Sequence, residues 1–520
     1  MTPAPAADSR GEVSPTIAAL TGHTRRLPDI LECIANLSND EVFTPPDIAN
    51  AMLDLLPKHV WSEPTYRWLD PGCKTGVFLR EIAKRLMVGL ADAFPDEDER
   101  RDHIFRNMLH ALAITELTGL VSRRTVYCSK DATSPKSLSR LVTTDGNVHY
   151  NPAATHNPGQ NGRCMECGAA FDPNRESNRE AHAYTFIHPQ SNPLSEVFDM
   201  QFDVIIGNPP YQMNDGGFGA SAAPIYHLFV ERAKALNPRY LSMIIPARWY
   251  AGGKGLDDFR KEMLADKSIR NLTDYADAGD CFPGVEIKGG VCFFLWDRDH
   301  PSNDCAVSTI TRGKLSATHS RRLDEYDVFI RHRQGVVILA KVQEKKEPTL
   351  EVQVSARKPF GFSTNFTDFK KKEFSNSVKI YARGTVGWVA RDKIAVNPQW
   401  VDAWKVLTSR AYGAGETFPH QMTGVPIVVA PGSACTETYL VAGTFASKLQ
   451  AERFESYMKT RFFRFLVALR KNTQDLNQGK FSFVPQLDMR VKWTDEMLYA
   501  RYGITEEEQS FIESQVREMP

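Results

Sequence analysis

The tetrapeptide Asn208-Pro209-Pro210-Tyr211 follows an apolar run from Phe202 to Gly207. Neither proline can donate a ladder hydrogen bond and both fix φ, so the run ends on a stiff turn carrying one amide and one aromatic ring. A second stretch with chemical potential is Asp70-Pro71-Gly72-Cys73-Lys74-Thr75-Gly76. A tight glycine-bearing turn after a short strand lets backbone approach a ligand closely. Its glycine spacing matches neither the dinucleotide fingerprint nor the Walker loop. Glu116 ends another apolar stretch, where an acid is placed to accept hydrogen bonds from ribose hydroxyls. Cys164 and Cys167 form a Cys-x-x-Cys knuckle that needs a partner pair to hold a metal.

These residues require a scaffold that brings strand ends together. Residues 66–86 read as strand, glycine turn and amphipathic helix, and residues 108–127 repeat the theme with Glu116 between strand and helix. A third strand is expected near Thr125–Cys128, followed by Asp131. Phe202–Gly207 is the next strand, with its helix at 223–236, and apolar strands follow at 240–250 and 289–299. Strands alternating with helices imply a doubly wound α/β sheet. Ligands bind such sheets at the carboxyl ends of the strands, where this reading places Asp70, Glu116, Asp131 and Asn208. Residues 132–197 break the pattern. They are polar, rich in turn residues, and read as an insertion.

At 520 residues, 42% hydrophobic and 24% charged, the chain is expected to form two or three globular domains. No stretch approaches a membrane span, and residues 1–39 lack the apolar core of a signal peptide and read as a flexible leader. Nine cysteines, mostly scattered, suit a reducing cytoplasm. The net charge of zero hides an asymmetry: residues 301–480 hold 28 Lys and Arg against 16 Asp and Glu, a net of +12. A basic module beside an acidic one favours a polyanionic partner.

Residues 41–300 resemble the catalytic domain of S-adenosylmethionine-dependent DNA methyltransferases that modify the N6 amine of adenine. "NPPY" is similar to that family's catalytic motif, "DPGCKTGVF" to its donor motif, and "FTPP" to the segment that precedes it in the gamma order. "YCSKDA", "PARWYAGGKG", "CFPGVEIKGGVCFFLWDRD" and the ending "WTDEMLYARYGITEEEQSFIE" resemble modification methylases of type II restriction–modification systems. Lys74 departs from the pattern, since many members have glycine there. The resemblance implies a Rossmann-like methyltransferase domain over 40–300, with a zinc-binding insertion at about 132–197. A mixed α+β target-recognition domain would follow over 301–520.

The resemblance also implies roles. An exocyclic amine is a poor nucleophile because its lone pair is delocalised into the ring. Two acceptors on its hydrogens, the Asn208 side-chain oxygen and the Pro209 carbonyl, would aim that lone pair at the sulfonium methyl, with Pro210 stiffening the turn. Tyr211 would stack on an adenine that has left the duplex, and Phe282 would supply a second stacking ring. In the donor pocket, Phe43, Thr44, Asp70, Gly72 and Gly76 would surround the methionine portion, and Asn208 would also contact the donor. Glu116 would take the ribose hydroxyls and Asp131 the adenine amine. Capping of a helix or turn is the competing role for these acids.

For the knuckle, Cys128, His156, Cys164 and Cys167 make a set suited to a closed structural zinc, with His149, His182 and His188 as alternates. The expected partners are double-stranded DNA and a separate cognate restriction endonuclease. Rival functions are a bifunctional restriction–modification enzyme, a methyltransferase acting on RNA or a protein side-chain amide, and a DNA-binding subunit with a vestigial pocket.

Overall fold

The computed structural model describes residues 42–159, 162–169, 184–190, 200–212, 223–311, 313–413, 418–471 and 474–519. The leader and His182 lie outside the described residues. The chain divides into two compact units. One comprises Met1–Pro246 and Asp266–Arg321, the other Ala247–Ala265 and Arg322–Pro520.

The first unit is built on a nine-stranded sheet of order β3-β2-β1-β4-β5-β7-β6-β8-β9. Its strands are β1 (Trp68–Cys73), β2 (Leu109–Ala113), β3 (Val148–His149), β4 (Val204–Gly207), β5 (Tyr240–Pro246), β6 (Ile269–Tyr275), β7 (Val291–Asp297), β8 (Cys305–Thr311) and β9 (Lys314–Arg321). The first five pair in parallel, while β7 runs antiparallel between β5 and β6. Every residue of β1, β4, β5 and β7 is buried, as expected where elements cover both faces of a sheet. Around the sheet lie α1 (Pro46–Leu53), α2 (Val77–Gly89), α3 (Glu97–His103), α4 (Glu116–Tyr127) and α5 (Tyr226–Ala235).

From β1 the chain steps to β2 and β3 on one side, then returns to lay β4 on the other. The strand order therefore reverses between β1 and β4, the position where doubly wound sheets open a crevice at their carboxyl ends.

Two expectations fail here. Thr125–Cys128 is not a strand: α4 runs through Tyr127, and Cys128 closes it in the left-handed conformation at φ 59°. The third strand is Val148–His149, paired to β2, so part of the expected insertion belongs to the sheet. The first unit also continues through β8 and β9 to Arg321, past the boundary read at 300.

The second unit contains two three-stranded sheets. One pairs β11 (Thr385–Ala390), β10 (Ser377–Ala382) and β14 (Ser433–Cys435) in that order. The other pairs β13 (Ile427–Val429), β12 (Trp404–Ser409) and β15 (Tyr439–Phe445). Its helices include α6 (Asp257–Ala265), α7 (Arg333–Glu344), α8 (Lys448–Lys459), α9 (Arg461–Ala468), α10 (Asp495–Tyr502) and α11 (Glu506–Gln515). The helical run of residues 448–468 breaks at Thr460, whose extended backbone (φ −60°, ψ 147°) ends α8 and whose hydroxyl caps α9. Arg464 on α9 is fully buried and donates to the carbonyls of Lys459, Thr460, Gln421 and Arg517, so it braces this core and does not face solvent.

Candidate active site

The crevice between β1 and β4 brings the two turns singled out in the sequence into contact. Asp70, at the end of β1, is buried, and its Oδ1 accepts from the Gly72 N–H at 3.2 Å. Burial pushes its carboxyl up to about 7, and the nearby Lys74 ammonium opposes that rise. Gly207 is required beside it, because a Cβ there would lie 2.7 Å from Asp70 Oδ1. Gly76 begins α2 at φ 75°, and a Cβ would meet the Ser122 backbone at 3.1 Å. Its left-handed conformation and the close passage of α4 both exclude larger residues.

Asn208 is 3% exposed. Its Nδ2 donates to the Val42 carbonyl at 2.9 Å and to Thr44 Oγ1 at 3.1 Å. A carbonyl can only accept, so this contact fixes which end of the amide is nitrogen and turns Oδ1 the other way. The "FTPP" segment thus orients the one side chain in the stiff turn that can present an acceptor. Thr44, Asp70, Gly72, Lys74, Gly76 and Asn208 line a common cleft. Phe43 is buried nearby in sequence but does not line it.

Tyr211 and Phe282 are both covered, at 7% and 2% exposure. Burial raises the Tyr211 phenol well above its ordinary value, so it stays neutral. The Lys74 ammonium stands 5.9 Å from the Tyr211 ring centroid.

Glu116 opens α4 and is exposed. It does not cap its helix. Thr115 does, accepting from the Thr118 N–H at 3.2 Å while Thr118 Oγ1 accepts from the Thr115 N–H at 2.9 Å. The Glu116 carboxylate is therefore not spent on capping, and Leu117 beside it is 66% exposed. The Tyr150 hydroxyl, directly after β3, bonds the Glu116 backbone. The sequence reading missed both neighbours. Leu117 had a usable signal, a large aliphatic at a helix start next to the acid; Tyr150 had none once β3 was misplaced. Asp131 is a correction: it follows no strand, and its carboxylate accepts from the Thr133 N–H and hydroxyl at 2.8 and 2.7 Å, closing its own turn.

The metal set needs one correction as well. His156, Cys164, Cys167 and His188 hold their ligand atoms within 4.8 Å of one another. Cys128 is exposed at the end of α4 and is not among them. His188 Nδ1 lies 2.8 Å from the Tyr184 carbonyl, to which it must donate, leaving Nε2 as the lone-pair nitrogen. Two thiols and two imidazoles suit a tetrahedral zinc. The same segment packs on α5, with Phe186 stacked on Phe229 at 5.6 Å between ring centroids.

Asp70 yields a prediction. Its raised pKa means the folded chain binds more protons than the unfolded chain between about pH 4 and 7, so stability falls as pH rises through that window. Asp70→Asn removes that loss and should stabilise the unliganded protein at pH 8 by roughly 2–4 kcal/mol, with little gain at pH 4. Urea unfolding at both pH values checks this, and an equal effect at both would refute it.

The doubly wound sheet thus carries an oriented amide and a glycine turn at its switch point, with an exposed acid at the start of α4. Residues 107–282 match the Eco57I restriction-modification methylase family. A Mycoplasma pneumoniae protein described as an uncharacterised adenine-specific methylase is 37% identical over 341 residues, 60% of this chain and 81% of the relative. The chain belongs to this family of adenine-specific restriction–modification methylases. Among solved structures, a nuclease-deletion mutant of the Type ISP restriction-modification enzyme LlaGI with a DNA substrate mimic is 13% identical. It covers 84% of this chain and 45% of its own length, at a TM-score of 0.48. The Type IIL enzyme MmeI in complex with DNA is 9% identical, covering 84% of this chain and 64% of its own, at a TM-score of 0.44. The chain spans about half the length of the first solved structures it matches, at 52%, 45% and 45%.

Proposed function

We propose that the protein transfers a methyl group from S-adenosylmethionine to the N6 amine of an adenine flipped out of duplex DNA. It would thus be a site-specific adenine DNA methyltransferase acting in the cytoplasm. The observation that carries this reading is the oriented amide: Val42 and Thr44 occupy Asn208 Nδ2, so Oδ1 is the atom available to an incoming N–H. Bound at the Gly72–Gly76 turn with its ribose at Glu116, the donor supplies an electrophilic methyl. The residues fit it, with glycines that let the donor turn pack closely on the Asn208–Pro209 and Ser122 backbone, and an acid not spent on capping. Asn208 Oδ1 and the Pro209 carbonyl would take the two amine hydrogens and direct the lone pair. Tyr211, and Phe282 with it, would have to be uncovered to stack on the base. No helix among the described residues is long and apolar enough to cross a membrane.

The His156–Cys164–Cys167–His188 group would hold a structural zinc that staples the insertion. Residues 322–520 would read the target sequence, and a separate endonuclease would cut unmodified sites.

Purified protein, tritiated S-adenosylmethionine and unmodified duplex DNA test the reaction. After digestion to nucleosides, label should run as N6-methyldeoxyadenosine. Label on cytosine, or only on RNA or protein, would refute it.

The basic second unit yields a further prediction. Lys371 and Lys372 are exposed, unlike buried Arg464, and are better placed to meet phosphates. Replacing both with Ala should reduce the log–log salt slope of DNA binding by about two, at about 0.9 per contact, while S-adenosylmethionine binding stays unchanged. An unaltered slope would place DNA contact elsewhere.

A further inference from the structure

Lys74, where the resembling family often has glycine, is 6% exposed and lies in the donor turn. Its Nζ donates to the Val42 carbonyl at 2.8 Å, and Asn208 Nδ2 donates to that same oxygen at 2.9 Å. One backbone carbonyl thus accepts from both turns of the crevice. We propose that Lys74 is a positioning residue for methyl transfer: by holding the Val42 carbonyl it fixes the orientation of the Asn208 amide. This rests on the reading of Asn208 as an acceptor for the target amine.

The physical argument concerns what else could set that amide. A carbonyl oxygen has two lone pairs, and Val42 uses them for one neutral and one charged donor. The charged bond is the stronger and anchors the oxygen, leaving the weaker amide bond to follow it. Thr44 Oγ1, at 3.1 Å from Asn208 Nδ2, is a second anchor on the same nitrogen. Without Lys74 the Val42 carbonyl keeps only the amide of these two donors, and the aim of Oδ1 then rests on Thr44 as its one firm anchor. Because the ammonium sits beside the buried Asp70 and 5.9 Å from the Tyr211 ring, its other environment is the same crevice and not bulk water.

The test uses the full chain with S-adenosylmethionine and unmodified duplex DNA. Lys74→Met should lower kcat tenfold or more at saturating donor, with the donor dissociation constant changed less than threefold. Lys74→Arg, which keeps a charged donor, should recover part of the loss. Thr44→Val should also lower kcat, and the Lys74→Met/Thr44→Val double variant should lose less than the product of the two single losses, because both act on one amide. A kcat within threefold of the parent for Lys74→Met overturns the proposal. So does a tenfold weaker donor with kcat intact, which would make Lys74 a donor-binding residue, and so do losses that multiply in the double variant. If Lys74→Met does not fold, an unchanged kcat for Lys74→Gln, whose neutral amide is shorter than the ammonium arm, overturns it equally. Asn208→Ala run in parallel separates the two readings: its retention of activity defeats the acceptor role, whereas its loss alongside an active Lys74→Met defeats only this inference.

Discussion

Asn208→Ala should lose methyl transfer by a hundredfold or more while binding S-adenosylmethionine within about threefold of the parent. Removing one preorganised polar contact to the reacting group typically costs about 3–4 kcal/mol of barrier. Asn208 lines the same cleft as Gly72 and Gly76, but in this reading the donor is held mainly at the glycine turn, so its affinity changes little. The geometry adds a sharper expectation for Asn208→Asp. A carboxylate keeps the oxygen but has no N–H for the Val42 carbonyl, against which it would be buried. It should therefore fail about as badly as Ala and fold less stably, because a buried oxygen then opposes an acceptor. Single-turnover transfer and equilibrium donor binding measure the two quantities separately. A kcat within tenfold of the parent for Asn208→Ala would remove the acceptor role.

The second large effect concerns the metal. Protein purified without metal-affinity resin should carry about one zinc per chain, since a preformed set of two thiolates and two imidazoles binds zinc with apparent free energies of about 10 kcal/mol or more. Cys164→Ser and His188→Ala should each lose the metal, lower the unfolding temperature, and increase protease cleavage at residues 162–169 and 184–190, because the four ligands tie these stretches together. Cys128→Ser should do none of these, which separates the set in the structure from the one read in the sequence. Less than about a tenth of an equivalent of zinc would end the structural-metal reading.

The parts of the site that were legible in the sequence are those coded locally. Asp70, Gly76 and Asn208 stand at abrupt changes from apolar strand to turn, and the change itself is the signal. Asp131 was misread because Val126, Tyr127 and Cys128 form a short apolar run that a helix end and a strand share. The true third strand, Val148–His149, is two residues long and has no periodicity to detect. Cys128 and His188 illustrate a different failure: a preference for a third thiolate selected the first, whereas the fold of the segment through Tyr184 and Phe186 delivers the second. An arginine on an aromatic helix, such as Arg464, can face solvent or satisfy distant carbonyls. Its partners at Gln421 and Arg517 are visible only in three dimensions. The role of "FTPP" was placed in the donor pocket by resemblance. Its hold on Asn208 through Val42 and Thr44 is a contact over more than 160 residues of chain.

In the proposed reaction, Asn208 presents an acceptor to an adenine amine in duplex DNA. The most direct measurement is methylation-aware sequencing of DNA from cells lacking endogenous adenine methylation and expressing either the parent or Asn208→Ala at equal levels. The account predicts N6-methyladenine at one short recurrent sequence in the parent sample, near saturation, and none above background with the variant. Methylation at that sequence in both samples, or a modified base other than adenine, would contradict it.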